Sequence, residues 1–378
     1  MALYFKSNIE QGPQTHILII GVGAYPFISG GSDEKAQTFD GAELLGQLGS
    51  PPISAEAFYN SVLKLHEDDC WITPLGTVEV LVSANPQTVG LFAGQQLEAA
   101  TIDNVHDAYW RWKDRCNTNR DNTALFFFCG HGLDNGEQYL LTEDFGKNPR
   151  NAWAGSIAFD MTRRAFADCK AKTQIFLIDA CRQLTNNMLA TDLPTIPIEP
   201  PNRFVTESEF SLVQKAAAPN EAAYGIDGEP SFYTKALINA LHGHAASNDS
   251  GEWVVSMGTL ASKMTTFLKQ IAESEGYDQR CISTTSNVTD LLRLKDPPEV
   301  SFTITCAPEK ALIHASLSYQ EVNTELGDSR EPFHEPWNVN VAAGIYKIGA
   351  SFAEGGYKSK PRVRSVIPPY STEEIKCI

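Results

Sequence analysis

The sequence predicts an α/β protein: a mostly parallel sheet flanked by helices in three layers, followed by a small all-β sandwich. Three observations predict it. Four short runs, HILII (16–20), VEVLV (78–82), ALFFF (124–128) and QIFLID (174–179), are almost unbroken in apolar residues, as strands buried on both faces should be. Between them lie segments with apolar residues at helical spacing. Beyond Pro297-Pro298 the chain changes to short β-type runs separated by turn residues.

Taken in order, HILII opens the sheet. SAEAFYNSVLKL follows, with Ser54 as the expected N-cap and Phe58, Val62 and Leu65 on one face. After VEVLV, the helix TIDNVHDAYWRWKDRC begins at Thr101 and aligns Ile102, Val105, Tyr109 and Trp112, which makes Trp112 core and Trp110 the more exposed. ALFFF and QIFLID bracket FDMTRRAFADC, whose inner face is expected at Met161, Ala165, Phe166 and Cys169. This alternation reads as βαβ units covered on both sides. Two inserts interrupt it: residues 21–50, rich in Gly and Ser, and residues 183–209, polar and Pro-rich. Loops of such length are usually functional or disordered. A strand (FSLVQKAAA) and two helices (SFYTKALINALHG, LASKMTTFLKQIAESEG) complete a first domain expected over 1–295. A second, over 296–378, is expected to be a β-sandwich built from VSFTITCA, ALIHASLSYQEV, WNVNVAAGIYKIGASFA and PRVRSVI.

Composition excludes several function classes. The net charge of −16 argues against nucleic acid, whose affinity rests on Lys and Arg neutralising phosphates, and favours a basic partner or substrate. No apolar run approaches the roughly 20 residues of a membrane span. The N-terminal MALYFKSNIEQGPQT lacks a secretory pattern, so a cytoplasmic protein is expected. The eight cysteines have no paired spacing and are expected to be reduced. Neither C-x-x-C nor H-E-x-x-H occurs, and no metal or other cofactor is expected. GVGAYP after the first strand fails as a dinucleotide loop, because Pro26 stands where the last glycine belongs.

The chemistry lies in TALFFFCGHGLD (123–134) and QIFLIDACRQ (174–183). The first run delivers His131, between Gly130 and Gly132, to a strand end. The second delivers Cys181. If the two strands are parallel neighbours, both residues reach the carboxyl edge of the sheet, where ligand groups of α/β folds collect. A thiolate attacks and a thiol does not, so Cys181 needs a base, and His131 is suited to take its proton and pass it to a leaving amine. The N–H groups of Gly132 and Cys181 are the expected oxyanion donors. Singly, a strand-end His or Cys is most often core. Together, at corresponding ends of successive strands, they read as a catalytic pair.

FFFCGHG followed by IFLIDACRQ resembles the caspase-like cysteine peptidases, the group of caspases, metacaspases and paracaspases. HILIIGVGAYP is similar to the first strand of its bacterial members, and SFYTKALINALHG to the helix after the active-site loops. The resemblance covers about 16–290. It implies a caspase-like sheet, with His131 as the family's histidine and Cys181 as its nucleophile. Caspases that cut after Asp carry Gln before the Ala-Cys. Asp179 stands there instead, which is more similar to metacaspases and paracaspases, where this acid lines the primary pocket. A carboxylate in that place implies cleavage after Arg, or after Lys. The competing role for Asp179 is a turn cap.

Ser54-Ala55 stands where metacaspases carry Asp-Ala, so a second pocket acid is sought among Asp33, Asp40 and Glu221. Arg182 is expected to support the loop after the nucleophile, and Arg203 is a candidate self-cleavage site. The partners implied are a protein substrate with an exposed Arg or Lys, and a protein partner for the β domain. The bacterial relatives imply a regulated effector in cell death or anti-phage defence. Two competing readings are a catalytically silent or zymogen-like caspase fold acting as a binding module, and a cysteine transferase or hydrolase for small molecules. The intact His131 and Cys181 argue against the silent reading, and Asp179 does not separate the peptidase from the transferase or hydrolase.

Overall fold

The unbroken apolar runs become the central strands of a seven-stranded sheet. The computed structural model describes residues 3–9, 11–37, 44–85, 90–182, 197–201, 208–353 and 356–378. It divides into two compact units, Met1–Ile238 with Ala261–Leu291, and Asn239–Leu260 with Leu292–Ile378.

The strands of the first unit are β1 (Leu3–Lys6), β2 (Thr15–Val22), β3 (Leu75–Ser83), β4 (Thr123–Gly130), β5 (Gly132–Asp134), β6 (Gln138–Leu141), β7 (Ser156–Ala158), β8 (Thr173–Ala180) and β9 (Phe210–Lys215). β10 (Trp253–Ser256) belongs to the second unit, and β11 (Ile282–Ser286) to the first. The sheet order is β1-β3-β2-β4-β8-β9-β11. The five inner strands are parallel. β1 and β11 close the edges antiparallel. From β2 the chain steps to β3 on one side and returns to β4 on the other. That reversal opens a crevice at the carboxyl ends of β2 and β4.

Every residue of β2, β3, β4 and β8 is buried, which is why these strands carry no polar alternation. Two buried carboxylates interrupt these strands, Asp179 of β8 and Glu79 of β3. Glu79 is fully buried, and Arg111 and Arg115 pair with it, as a buried carboxylate requires.

The helices are α1 (Ser50–Glu67), α2 (Ile102–Cys116), α3 (Phe159–Phe166), α4 (Phe232–Asn239) and α5 (Met257–Ser274). Adjacent phenylalanines of β4 show the layering, since neighbours on a strand point to opposite faces. Phe127 stacks on Phe58 of α1, whereas Phe126 meets Trp112 of α2 and Phe159 of α3. Thr101 caps α2 as expected, its side chain accepting from the Asn104 N–H at 3.3 Å. Trp112 is fully buried and Trp110 exposed.

Three expectations need correction. α1 begins at Ser50 rather than at a Ser54 cap, because Pro51 and Pro52 suit the first turn, where N–H groups have no partner. The inner face of α3 is Phe159, Thr162, Ala165 and Phe166, so Met161 lies off it and Cys169 falls past the helix end. The opening of ALIHASLSYQEV is a short 3-10 turn, Glu309–His314, that leads into a strand.

Part of the Pro-rich insert is pinned. Ile198 is buried and its N–H donates to Thr162 Oγ1 at 3.1 Å. Glu199 accepts from Lys113 Nζ at 2.5 Å and from the Tyr109 hydroxyl at 3.1 Å.

The remaining strands are β12 (Asp290–Leu294), β13 (Glu299–Ala307), β14 (Ala315–Glu321), β15 (Gly327–Arg330), β16 (Trp337–Ala342), β17 (Gly344–Phe352), β18 (Arg362–Val366) and β19 (Tyr370–Lys376). β10 pairs with β12. A three-stranded sheet, β16-β13-β19, and a four-stranded one, β15-β14-β17-β18, form the C-terminal sandwich. Their shared core includes Phe302, Ile304, Leu317, Tyr346, Ile348 and Ile375, and Trp253 packs against it.

Candidate active site

β4 and β8 are direct parallel neighbours, in the register Cys129↔Asp179 and Gly130↔Ala180. The two chains therefore leave the sheet in step, at His131 and Cys181. Both residues line a cavity of about 480 Å³, together with residues 47–51 after β2, Asn85 after β3, and 223–225, Asp227 and Ser231 after β9. The cavity thus occupies the carboxyl edge at the reversal of strand order.

His131 is fixed on three sides. Its N–H donates to the Tyr25 hydroxyl at 2.8 Å, and the two rings lie 4.9 Å apart. Its Nε2 is 2.8 Å from the carbonyl oxygen of Gly46. A carbonyl only accepts, so Nε2 carries the proton. Burial lowers the imidazole pKa to about 4, against a smaller opposite effect of the Gly46 carbonyl. The ring is neutral at physiological pH, and Nδ1 is its basic nitrogen.

Cys181 is the one cysteine of the eight that is not buried. Its sulfur is bracketed by Ala223, whose N–H lies 3.3 Å away and whose carbonyl lies 3.5 Å away. Burial of the thiol raises its pKa, with the Ala223 N–H acting in the other direction. The resting pair is therefore imidazole and thiol, not an ion pair.

Gly132 does not line the cavity, yet it packs directly beneath Cys181. A Cβ there would stand 2.7 Å from both the Ala180 Cβ and the Cys181 carbonyl oxygen. The β5–β6 register pairs Gly132 with Leu140, and the Leu141 N–H donates to the His131 carbonyl at 3.0 Å. In an antiparallel ladder the following N–H, that of Gly132, turns away from the partner strand.

Asp179 is buried in the cavity wall. Its Oδ2 accepts from the Ser231 hydroxyl, from Thr234 Oγ1 at 2.8 Å and from Cys129 Sγ at 3.2 Å. Desolvation raises its pKa, and the three donors oppose that. Ser231 also caps α4, accepting from the Thr234 N–H at 2.9 Å. Asp179 therefore sits at a helix N-terminus, where negative charge is favoured. Ser54 accepts the Ser231 N–H at 2.9 Å and so supports Asp179 at second hand.

The candidates for a second acid fare differently. The Glu221 carboxylate pairs with Arg280, and Asp33 lies 3.7 Å from Lys35; neither lines the cavity. Asp40 and Arg203 lie outside the described residues. Asp227, not among the acids the sequence points to, lines the cavity, its carboxylate against Gly49. Its only sequence signal is an acid in a turn-rich stretch, GIDGEP, after β9. Two aspartates and no Lys or Arg line the cavity among the described residues. Arg182, beside Cys181, donates through Nε to Asp134 Oδ2 at 2.6 Å and pairs with it through Nη2 as well. No group of three or more His, Cys, Asp or Glu that would hold a metal occurs among the described residues, and no helix there is long and apolar enough to cross a membrane.

A family model described as the caspase domain matches residues 16–293. A protein of Sinorhizobium fredii (strain NBRC 101917 / NGR234), described as uncharacterized protein y4kE, is 30% identical over 213 residues. That match covers 55% of this chain and 61% of the relative, so the chain spans less than two thirds of that relative's length.

Proposed function

This chain belongs to the caspase family, and from that premise we propose that it is a cysteine endopeptidase cutting protein substrates after Arg, and after Lys. The observation that carries the proposal is the cavity itself. Its one partly exposed thiol and its one imidazole stand over a wall containing a buried aspartate.

In the proposed mechanism the substrate's basic side chain enters beside Asp179, with Asp227 adding negative charge nearer the solvent. A guanidinium or ammonium replaces, for that carboxylate, the water lost on burial. Cys181 Sγ then attacks the scissile carbonyl carbon while His131 Nδ1 accepts the thiol proton. The Gly46 carbonyl holds Nε2–H and so keeps the ring in the required tautomer. The N–H groups of Gly132 and Cys181 stabilise the oxyanion. Collapse breaks the C–N bond, His131 gives its proton to the leaving amine, and a thioester remains. Water, deprotonated by His131, hydrolyses it.

A zymogen-like resting state has one supporting observation, the bracketing of the Cys181 sulfur by Ala223. Substrate or an activating partner would then need to draw the 223–225 segment aside. The β-sandwich is proposed to dock that partner. The resemblance to bacterial relatives supports a regulated role in cell death or anti-phage defence, in the cytoplasm.

Labelling tests the pocket separately from turnover. A peptidyl chloromethyl ketone ending in Arg should alkylate Cys181 and leave an otherwise identical reagent ending in Asp unreacted. Asp179→Asn should slow that labelling about 10- to 100-fold, while iodoacetamide still reaches Cys181. Equal labelling by the Arg and Asp reagents, or an unchanged rate in Asp179→Asn, would contradict the assignment.

A further inference from the structure

Two buried cysteines that the mechanism does not use are in contact. Cys116 ends α2, and Cys169 lies three residues beyond α3. Both lie buried in the same hydrophobic core cluster, thiol beside thiol. Bonds on either side hold the pair together. Asp168 binds Lys113 Nζ at 2.5 Å, and the Lys170 N–H donates to Asn117 Oδ1 at 2.8 Å. The residues before and after Cys169 thus grip the last turn of α2 around Cys116. From β8, Gln174 Nε2 fixes the turn that carries Cys169, donating to the Cys169 carbonyl at 3.4 Å.

The two sulfurs differ in character. Burial and the contact with Cys169 push the Cys116 thiol well above the usual range. The adjoining Cys116 thiol, then the Ala171 N–H and the Lys113 ammonium, draw Cys169 down against its burial. Cys169 keeps 7% of its surface exposed and Cys116 none, so Cys169 is the sulfur a peroxide reaches first and Cys116 the resolving one. The pair lies at the amino edge of the sheet, just before β8, the strand that carries Asp179 and leads to Cys181.

We propose that Cys116 and Cys169 form a reversible dithiol–disulfide site, closed by a peroxide, at the root of the strand that carries the nucleophile. The Cys169 thiolate attacks one peroxide oxygen. An S–O bond forms, the O–O bond breaks, and hydroxide leaves and is protonated to water, which makes Cys169 a sulfenic acid. The Cys116 sulfur then attacks the Cys169 sulfur. The S–S bond forms, the S–O bond breaks, and hydroxide departs with the Cys116 proton as a second water. Two thiols lose two electrons, and the peroxide takes them up as it becomes two waters. The bridge ties the end of α2 to the entry of β8, and a thiol reductant restores the open form.

Peptide mapping of the full chain tests this. The protein is treated with hydrogen peroxide, remaining thiols are blocked with iodoacetamide, and it is digested with trypsin without reductant. The tryptic peptides CNTNR (116–120) and AFADCK (165–170) should appear joined, about 2 Da lighter than their sum, and separate on adding dithiothreitol. In Cys116→Ser, dimedone should instead capture Cys169 as its sulfenic acid. The proposal is overturned if both peptides emerge singly alkylated at peroxide levels that oxidise Cys181. It is equally overturned if Cys169 is found joined to any cysteine other than Cys116.

Discussion

Burial decides the protonation of both reacting groups. His131 is held neutral, with its pKa lowered to about 4, and the Cys181 thiol is pushed upward. In the proposed mechanism, deprotonation of Cys181 thus waits for a substrate carbonyl to attack, with Nδ1 of His131 receiving the proton as the C–S bond forms. A preformed thiolate–imidazolium pair would need the opposite shifts. The sign of the consequence is clear: a raised thiol pKa leaves less thiolate at any given pH. Alkylation of Cys181 by iodoacetamide should therefore keep climbing as pH rises through and beyond the ordinary thiol pKa of about 8.5. A plateau of full reactivity at or below neutral pH would show an ion pair and refute this description. Asp179 obeys the same logic in its own way. Desolvation makes its charge costly, three donors and a helix N-terminus make that charge tolerable, and a cationic substrate group would complete it.

At the scale of elements, the site depends on how β4, β5 and β8 leave the sheet. The Arg182–Asp134 pair joins the residue after Cys181 to β5, and both side chains are largely buried. Arg182→Ala would strand the carboxylate and should cost about 3 kcal/mol. The double variant with Asp134→Ala should cost less than the sum of the single ones, which urea denaturation of all three variants would measure. Strict additivity would mean that the two groups do not depend on one another. The carrying strands are legible in the sequence because a parallel sheet covered on both faces leaves continuous apolar runs, and adjacent runs ending in His and Cys imply one shared edge. What lacked a sequence signal is instructive. β5, β6 and β7 are too short to show a period, and β11, ISTTS, is a polar edge strand whose pairing with β9 comes from the fold. The Gly46 carbonyl that orients His131 is backbone, which any residue supplies. Asp227 displaces Glu221 in the cavity because Glu221 is taken by Arg280, and a pairing 59 residues apart has no local pattern.

For the whole molecule, charge and cavity agree. A chain of net charge −16 attracts basic partners from a distance, and the cavity holds two aspartates among its described lining, without a Lys or Arg. Neither feature would help a peptidase that cuts after acidic residues. The central claim, a Cys181 peptidase selective for basic residues, is tested most directly by one measurement. Four fluorogenic peptides, identical except for Arg, Lys, Asp or Ala before the cleaved bond, are given to the full chain and to Cys181→Ala. The account predicts turnover of the Arg peptide, weaker turnover of the Lys peptide, none of the other two, and none by the variant. Cleavage of the Asp or Ala peptide at a comparable rate, or activity surviving in Cys181→Ala, would contradict it.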